Sequence, residues 1–149
     1  MTTYQELHEQ IHEITEISNV FLYLIENRKM CDTQITCDLF FDYVKKVQNH
    51  LEIEDKQLYT VILTGGDDKA RKTAEKFLSG AKEIKRVFRD YIKKWSHRRQ
   101  QELVISNYDQ FIEETRAVFE LVMDRFQDET EQLYPLAREI TGNNVQLVA

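Results

Sequence analysis

Residues 47–60 read VQNHLEIEDKQLYT and residues 122–135 read VMDRFQDETEQLYP. The two stretches align without gaps, with Val47 on Val122, Glu54 on Glu129, Gln57 on Gln132, Leu58 on Leu133 and Tyr59 on Tyr134. A protein built from two similar helical hairpins would give such a match, and chance likeness between amphipathic helices could give part of it. In both copies the apolar stripe steps by three or four residues: Val47, Leu51, position 54, Leu58, and Val122, Phe126, position 129, Leu133. That spacing is helical. It sets a glutamate at a seam position twice, where an ionised carboxylate is costly unless paired or metal-bound.

Outward from these stretches the chain divides into four amphipathic segments. The first carries Leu7, Ile11, Ile14, Phe21 and Ile25, with Ser18 filling one step. The second runs through Phe40, Tyr43, Val44, Val47, Leu51, Leu58 and Ile62. The third carries Ala74, Phe77, Ala81, Ile84, Phe88, Tyr91 and Trp95, and the fourth Phe111, Val118, Val122, Phe126, Leu133, Leu136 and Ile140. The breaks are short: 27–34 offers Asp32 and Thr33 as helix caps, 64–68 offers Gly65-Gly66 as a terminator and Asp as the next cap, and 96–101 is a weaker break. Short links favour antiparallel neighbours, so the expected fold is all-α, an up-down-up-down antiparallel four-helix bundle. Pro135 predicts a kink or a short closing helix. One domain is expected over residues 1–149, with its core at about 4–140 and a fraying tail at 141–149.

Composition agrees. At 149 residues, with 42% hydrophobic and 31% charged side chains, the chain can bury one core. Four Gly and one Pro are too few for a mostly β domain of this size. No apolar run is long enough for a membrane span. The start MTTYQELHEQ resembles neither a signal nor a transit peptide. The two cysteines, Cys31 and Cys37, read as small fillers in a reducing compartment, so a cytoplasmic location is expected. No G-x-S-x-G, phosphate-loop or dinucleotide pattern occurs, and the expected function is non-enzymatic.

His50 lies one turn before Glu54, so the two can converge on one point. An imidazole and a carboxylate pointing inward make half a metal-binding shell. His8 and His12 add a second pair in the first segment. Single His and Glu residues at stripe margins are also commonly half-exposed or satisfied within the protein.

On His8, the run His50-Leu51-Glu52-Ile53-Glu54-Asp55 with Leu58-Tyr59, and Glu129 with Leu133-Tyr134-Pro135-Leu136-Ala137, the chain resembles the hemerythrin family of cation-binding helical bundles. The resemblance implies two irons bridged by carboxylates and held by histidines of all four helices. Carried over by position, His8, His50, Glu54 and Glu129 would be the remaining ligands. The third-helix histidine falls near Ala81, and the fourth at Arg125, whose permanent charge repels a cation. The implied centre is therefore incomplete, holding at most a single weakly bound metal such as iron, or none, with Arg125 between Glu54 and Glu129 in the metal's place. A second resemblance, through Asp42-Tyr43-Val44 and Arg125-Phe126-x-x-Glu129, is to the regulator-of-sigma-D family of anti-sigma factors. That family uses its bundle to bind a partner protein. Its tryptophan-rich first helix is not matched in residues 8–28.

Charge is uneven. From Lys69 to Arg99 there are twelve Lys/Arg against three Asp/Glu, a balance of +9; the rest carries eight against twenty-three, −15, together −6. Lys82, Lys85, Arg86, Arg89, Lys93, Lys94, Arg98 and Arg99 thus form a candidate partner-binding face. The alternative is that they pair with acidic neighbours inside the protein. An acidic protein partner or a homodimer is expected before nucleic acid, which the acidic remainder would repel.

Overall fold

A computed structural model describes residues 2–142, and these are all-α apart from one small hairpin. Helix α1 spans Tyr4–Ile25, α2 Arg28–Cys31, α3 Gln34–Ile53, α4 Tyr59–Gly65, α5 Asp68–Trp95 and α6 Tyr108–Ile140. A π-helical turn, Glu54–Leu58, joins α3 to α4. Among the described residues no helix is long and apolar enough to cross a membrane.

Local chemistry sets most of the ends. Thr3 and Glu6 form a reciprocal capping box at the start of α1, which satisfies two amide donors that a helix start leaves free. Thr33, Asp67 and Asn107 cap α3, α5 and α6, each side chain accepting an amide hydrogen from three residues on. The Gly65-Gly66 stop and the Asp67 start fall where the sequence puts them.

Three local expectations are corrected. The polar break at 27–34 folds into the short helix α2, because the Asn27 side chain accepts from the amides of Lys29 and Met30. The weak break after Trp95 is a hairpin of two short strands, β1 (Ser96–His97) and β2 (Glu102–Leu103), paired antiparallel. Pro135 neither ends α6 nor sets off a closing helix. It is exposed, so the carbonyl it leaves free four residues back, on exposed Glu131, can bond to water. The tail expected at 141–149 lies, from residue 143 on, outside the described residues.

Side-chain contacts give the helix directions. Gln10 meets His50 and Phe21 meets Phe40, so α1 and α3 are antiparallel. Trp95 meets Phe111 and Phe77 meets Arg125, so α5 and α6 are antiparallel too. Tyr4 reaches Thr141 and Phe21 reaches Phe119, which sets α6 antiparallel to α1. The core forms two apolar clusters. One is aromatic, with Phe21, Phe40, Tyr43, Phe88, Trp95 and Phe119 among its members. The other holds Leu7, Leu58, Ile62, Ala74, Leu133 and Ala137. From α3 into the π turn the first cluster ends at Leu51 and the second resumes at Leu58; on α6 they meet between Phe126 and Leu133. The two seam glutamates fall in that gap.

A buried carboxyl pair between two apolar clusters

His50, Glu54 and Glu129 are buried at 0, 1 and 0% exposure. Their placement follows from the repeat. Tyr59 donates its hydroxyl hydrogen to Glu129 Oε2 at 2.8 Å, and Tyr134 donates to Glu54 Oε2 at 3.1 Å. Each copy's tyrosine thus serves the other copy's glutamate. Residues five apart are not nearest neighbours on an α-helix, yet on α6 Glu129 and Tyr134 are both buried without a π turn. In the first copy the π turn absorbs the extra residue: the Tyr59 amide bonds to the Glu54 carbonyl, and both side chains point inward. Single π turns of this kind are often found at functional sites.

His50 and Arg125 occupy equivalent positions in the two copies and behave differently. The His50 Nδ1–H donates to Gln10 Oε1 at 2.7 Å, which leaves Nε2 as an acceptor, 3.3 Å from Glu54 Oε2. Burial holds the imidazole pKa down to about 4, so this contact is not an ion pair at neutral pH. Arg125 carries a full charge. Its Nε lies 3.4 Å from Glu129 Oε2, and Nη2 donates to Tyr59 Oη at 2.9 Å and to the Phe77 carbonyl. The guanidinium also lies over the Phe77 ring, 4.9 Å from its centre. Gly80 makes room for it, since a Cβ there would come within 2.7 Å of Nη1.

The two carboxyl groups lie within hydrogen-bonding reach of each other. Burial pushes the Glu54 pKa up to about 7. Burial and the neighbouring Glu54 push Glu129 well above the usual carboxylate range. Two buried carboxylates so close cannot both ionise, and they titrate as a pair that retains a proton. A proton shared by the two carboxyls joins Glu54 Oε1 and Glu129 Oε1, two buried atoms otherwise without partners, and leaves His50 Nε2 as a third. One shared proton and one guanidinium together balance the two carboxyls.

His8 does not join them. It is half-buried, its Nε2 faces Arg138 Nη2 at 3.1 Å, and its ring meets the edge of Tyr134 at 5.4 Å. Arg125 touches Glu129 and Tyr59 from the α5 side rather than lying between the two glutamates. Ala81 is buried beside Gly80 and brings no ligand atom. Among the described residues no three His, Cys, Asp or Glu side chains form a group arranged to hold a metal ion. The set does not fit the two-iron centre that the family resemblance implies: one histidine has turned away and a fixed cation has replaced another. Gln10, Gly80 and the partner roles of Tyr59 and Tyr134 were not read from sequence. The paired Glu-x4-Tyr spacing was the available signal for the tyrosines, whereas Gln10 and Gly80 left none.

The eight basic residues separate into two groups. Lys85 pairs with Asp55, Arg86 with Glu83 and Asp90, and Lys94 with Glu114. Lys82, Arg89, Lys93, Arg98 and Arg99 are exposed, with no carboxylate within ion-pair reach among the described residues. His97 is exposed as well, and His12 pairs with Glu16 on the surface. Burial raises the Cys31 thiol to about 11, which keeps it protonated and unreactive; the partly buried Cys37 donates to the Gln101 carbonyl at 3.3 Å. Comparison of the chain with protein-family models, curated proteins and solved structures finds no match.

Proposed function

We propose that this chain is an up-down-up-down four-helix bundle of hemerythrin type whose metal centre has been replaced by a shared proton and Arg125. In this reading it acts as a cytoplasmic, non-enzymatic binding or regulatory protein, in the manner of an anti-sigma factor, through its surface. The observation that carries it is the reciprocal set Tyr59–Glu129 and Tyr134–Glu54 with Arg125 against Glu129. This set gives each carboxyl a hydrogen bond and one of them a countercharge, and a retained proton neutralises the other, so burying them does not require a metal.

A second reading, a single weakly held metal such as iron, is favoured by one observation. His50 Nε2, Glu54 Oε1 and Glu129 Oε1 are buried ligand atoms without hydrogen-bond partners, and Gln10 fixes the imidazole so that Nε2 is free. Those three residues would hold the ion, which would supply a fixed positive charge in place of the shared proton.

Metal content of the untagged protein separates the two. Iron, zinc and manganese well below one per chain, with no thermal stabilisation on adding iron, is the expected result. Near-stoichiometric metal that is lost in Glu54→Ala would overturn it in favour of the second reading. Arg125→His combined with Ala81→His is expected to restore iron binding; a folded double variant without iron would mean that the site is misplaced.

A further inference from the structure

Four of the five candidate cations without a carboxylate partner lie together. Arg89 and Lys93, one turn apart near the end of α5, and Arg98 and Arg99, in the turn of the hairpin, frame one surface groove of about 550 Å³. Ile92, buried, lies between the helix cations, and His97 adds a titratable ring at the edge. Among the described residues no Asp or Glu lines this groove. The neighbouring groove over α1 and α3, which shares Arg98 with this one, provides the contrast: Lys45 and Lys46 there stand among Glu13, Asp42 and Glu52. The hairpin is also held in place, because the Val104 amide bonds to the Trp95 carbonyl and Trp95 is fully buried.

Cations at a helix C-terminus compensate the helix dipole, and that would explain one or two of them. It does not explain four around one acid-free concavity, since like charges one turn apart repel. Such an arrangement suits an anion supplied from outside. The rest of the molecule selects the kind of anion. Helix α1 carries Glu6, Glu9, Glu13 and Glu16 and no Lys or Arg, and the chain as a whole is at −6. At physiological salt, fields fade over about 8 Å. A short acidic segment therefore feels the groove alone, whereas a long polyanion running beyond it meets the acidic surface.

We propose that the groove framed by Arg89, Lys93, Arg98 and Arg99 docks a short acidic peptide segment of a partner protein. The proposal rests on the reading of this chain as a binding protein and names the chemistry of its partner. The test is fluorescence anisotropy of a labelled hexaglutamate peptide titrated with the full chain at two salt concentrations. An oligolysine peptide and a short single-stranded oligonucleotide serve as comparisons. Saturable hexaglutamate binding is expected, weakened by raised salt and by about tenfold or more in Arg89→Glu with Arg99→Glu. It should be unchanged in Lys82→Glu, which lies outside the groove. Both surface variants should keep the helical circular dichroism of the parent. Absence of hexaglutamate binding, equal binding by the groove variant, or tighter binding of the oligonucleotide would overturn the proposal. Metal content is read on the same preparation: a stoichiometric metal would remove the degenerate-centre reading and leave the peptide result standing by itself.

Discussion

Replacing Arg125 with methionine should destabilise the protein by an amount that depends on pH. Methionine keeps much of the side chain's length against Phe77 and Gly80 but removes the only cation that touches Glu129 in the described structure. Glu129 is fully buried, so it cannot recover the loss from water and must take up a proton instead. Protonating a carboxyl of ordinary pKa 4.5 costs about 3 kcal/mol at pH 7 and under about 1 kcal/mol at pH 5. The Phe77 carbonyl also loses a donor, a further ~1 kcal/mol at either pH. The total is about 4 kcal/mol at pH 7 and about 2 at pH 5. The sign follows from linkage: a carboxyl whose folded pKa is raised contributes stability that is complete below 4.5 and is lost as pH rises through the folded value. Urea unfolding followed by circular dichroism, with a slope of about 2 kcal/mol/M for a chain of this size, would show the midpoint falling by about 2 M at pH 7 and about 1 M at pH 5. Equal losses at the two pH values would refute the reasoning, because they would mean that the charge of Arg125 does not balance Glu129.

The parent protein should show two opposed titrations. His50, held at about 4, removes stability as pH falls from 6.5 toward 4, and Glu54, raised to about 7, removes it as pH rises from 4.5 toward 7. Glu54→Gln with Glu129→Gln should leave only the first. Stability would then climb by about 3 kcal/mol between pH 4 and 6.5 and level off; a continued fall above pH 6 in chemical denaturation would count against the shared proton. Gly80→Ala should bring no net gain in the parent, where the new methyl meets Arg125 Nη1. In the Arg125→Met background it should stabilise by about 1 kcal/mol through helix propensity, and an equal effect in both backgrounds would break the link. Gln10→Ala should cost about 1 kcal/mol and alter the His50 tautomer signal in nitrogen NMR; an unchanged spectrum would show that Gln10 does not orient the ring. At pH 8 a disulfide reagent should titrate Cys37 quickly and Cys31 only on unfolding, whereas two fast thiols would contradict the burial of Cys31.

Much of the helical organisation was legible in the sequence. The stripes, the Gly65-Gly66 stop and caps such as Thr33 and Asp67 are local signals, decided by side-chain periodicity and by hydrogen bonds spanning a few residues. The duplicated Glu in an apolar stripe was legible for the same reason, since a carboxyl at a seam position is anomalous wherever it occurs. What happens to that carboxyl was not legible. Tyr59 crosses to Glu129 and Tyr134 to Glu54 over seventy and eighty residues of sequence, and the π turn that aims Tyr59 has no local signature in EDKQL.

Position alone also misjudged His8. It shares the ligand's place in the family pattern, yet Arg138 and the Tyr134 edge hold it away from the glutamates. The basic segment shows the same division. Its excess of charge could be counted from the sequence, but which cations are neutralised depends on Asp55 and Glu114 arriving from other elements. Composition and periodicity determined that this chain folds into amphipathic helices with two carboxyls at their seams. Only the tertiary structure decided that a guanidinium and two tyrosine hydroxyls meet those carboxyls and that four cations gather around one groove, because hydrogen bonding and charge neutralisation act between side chains that meet only after the helices pack.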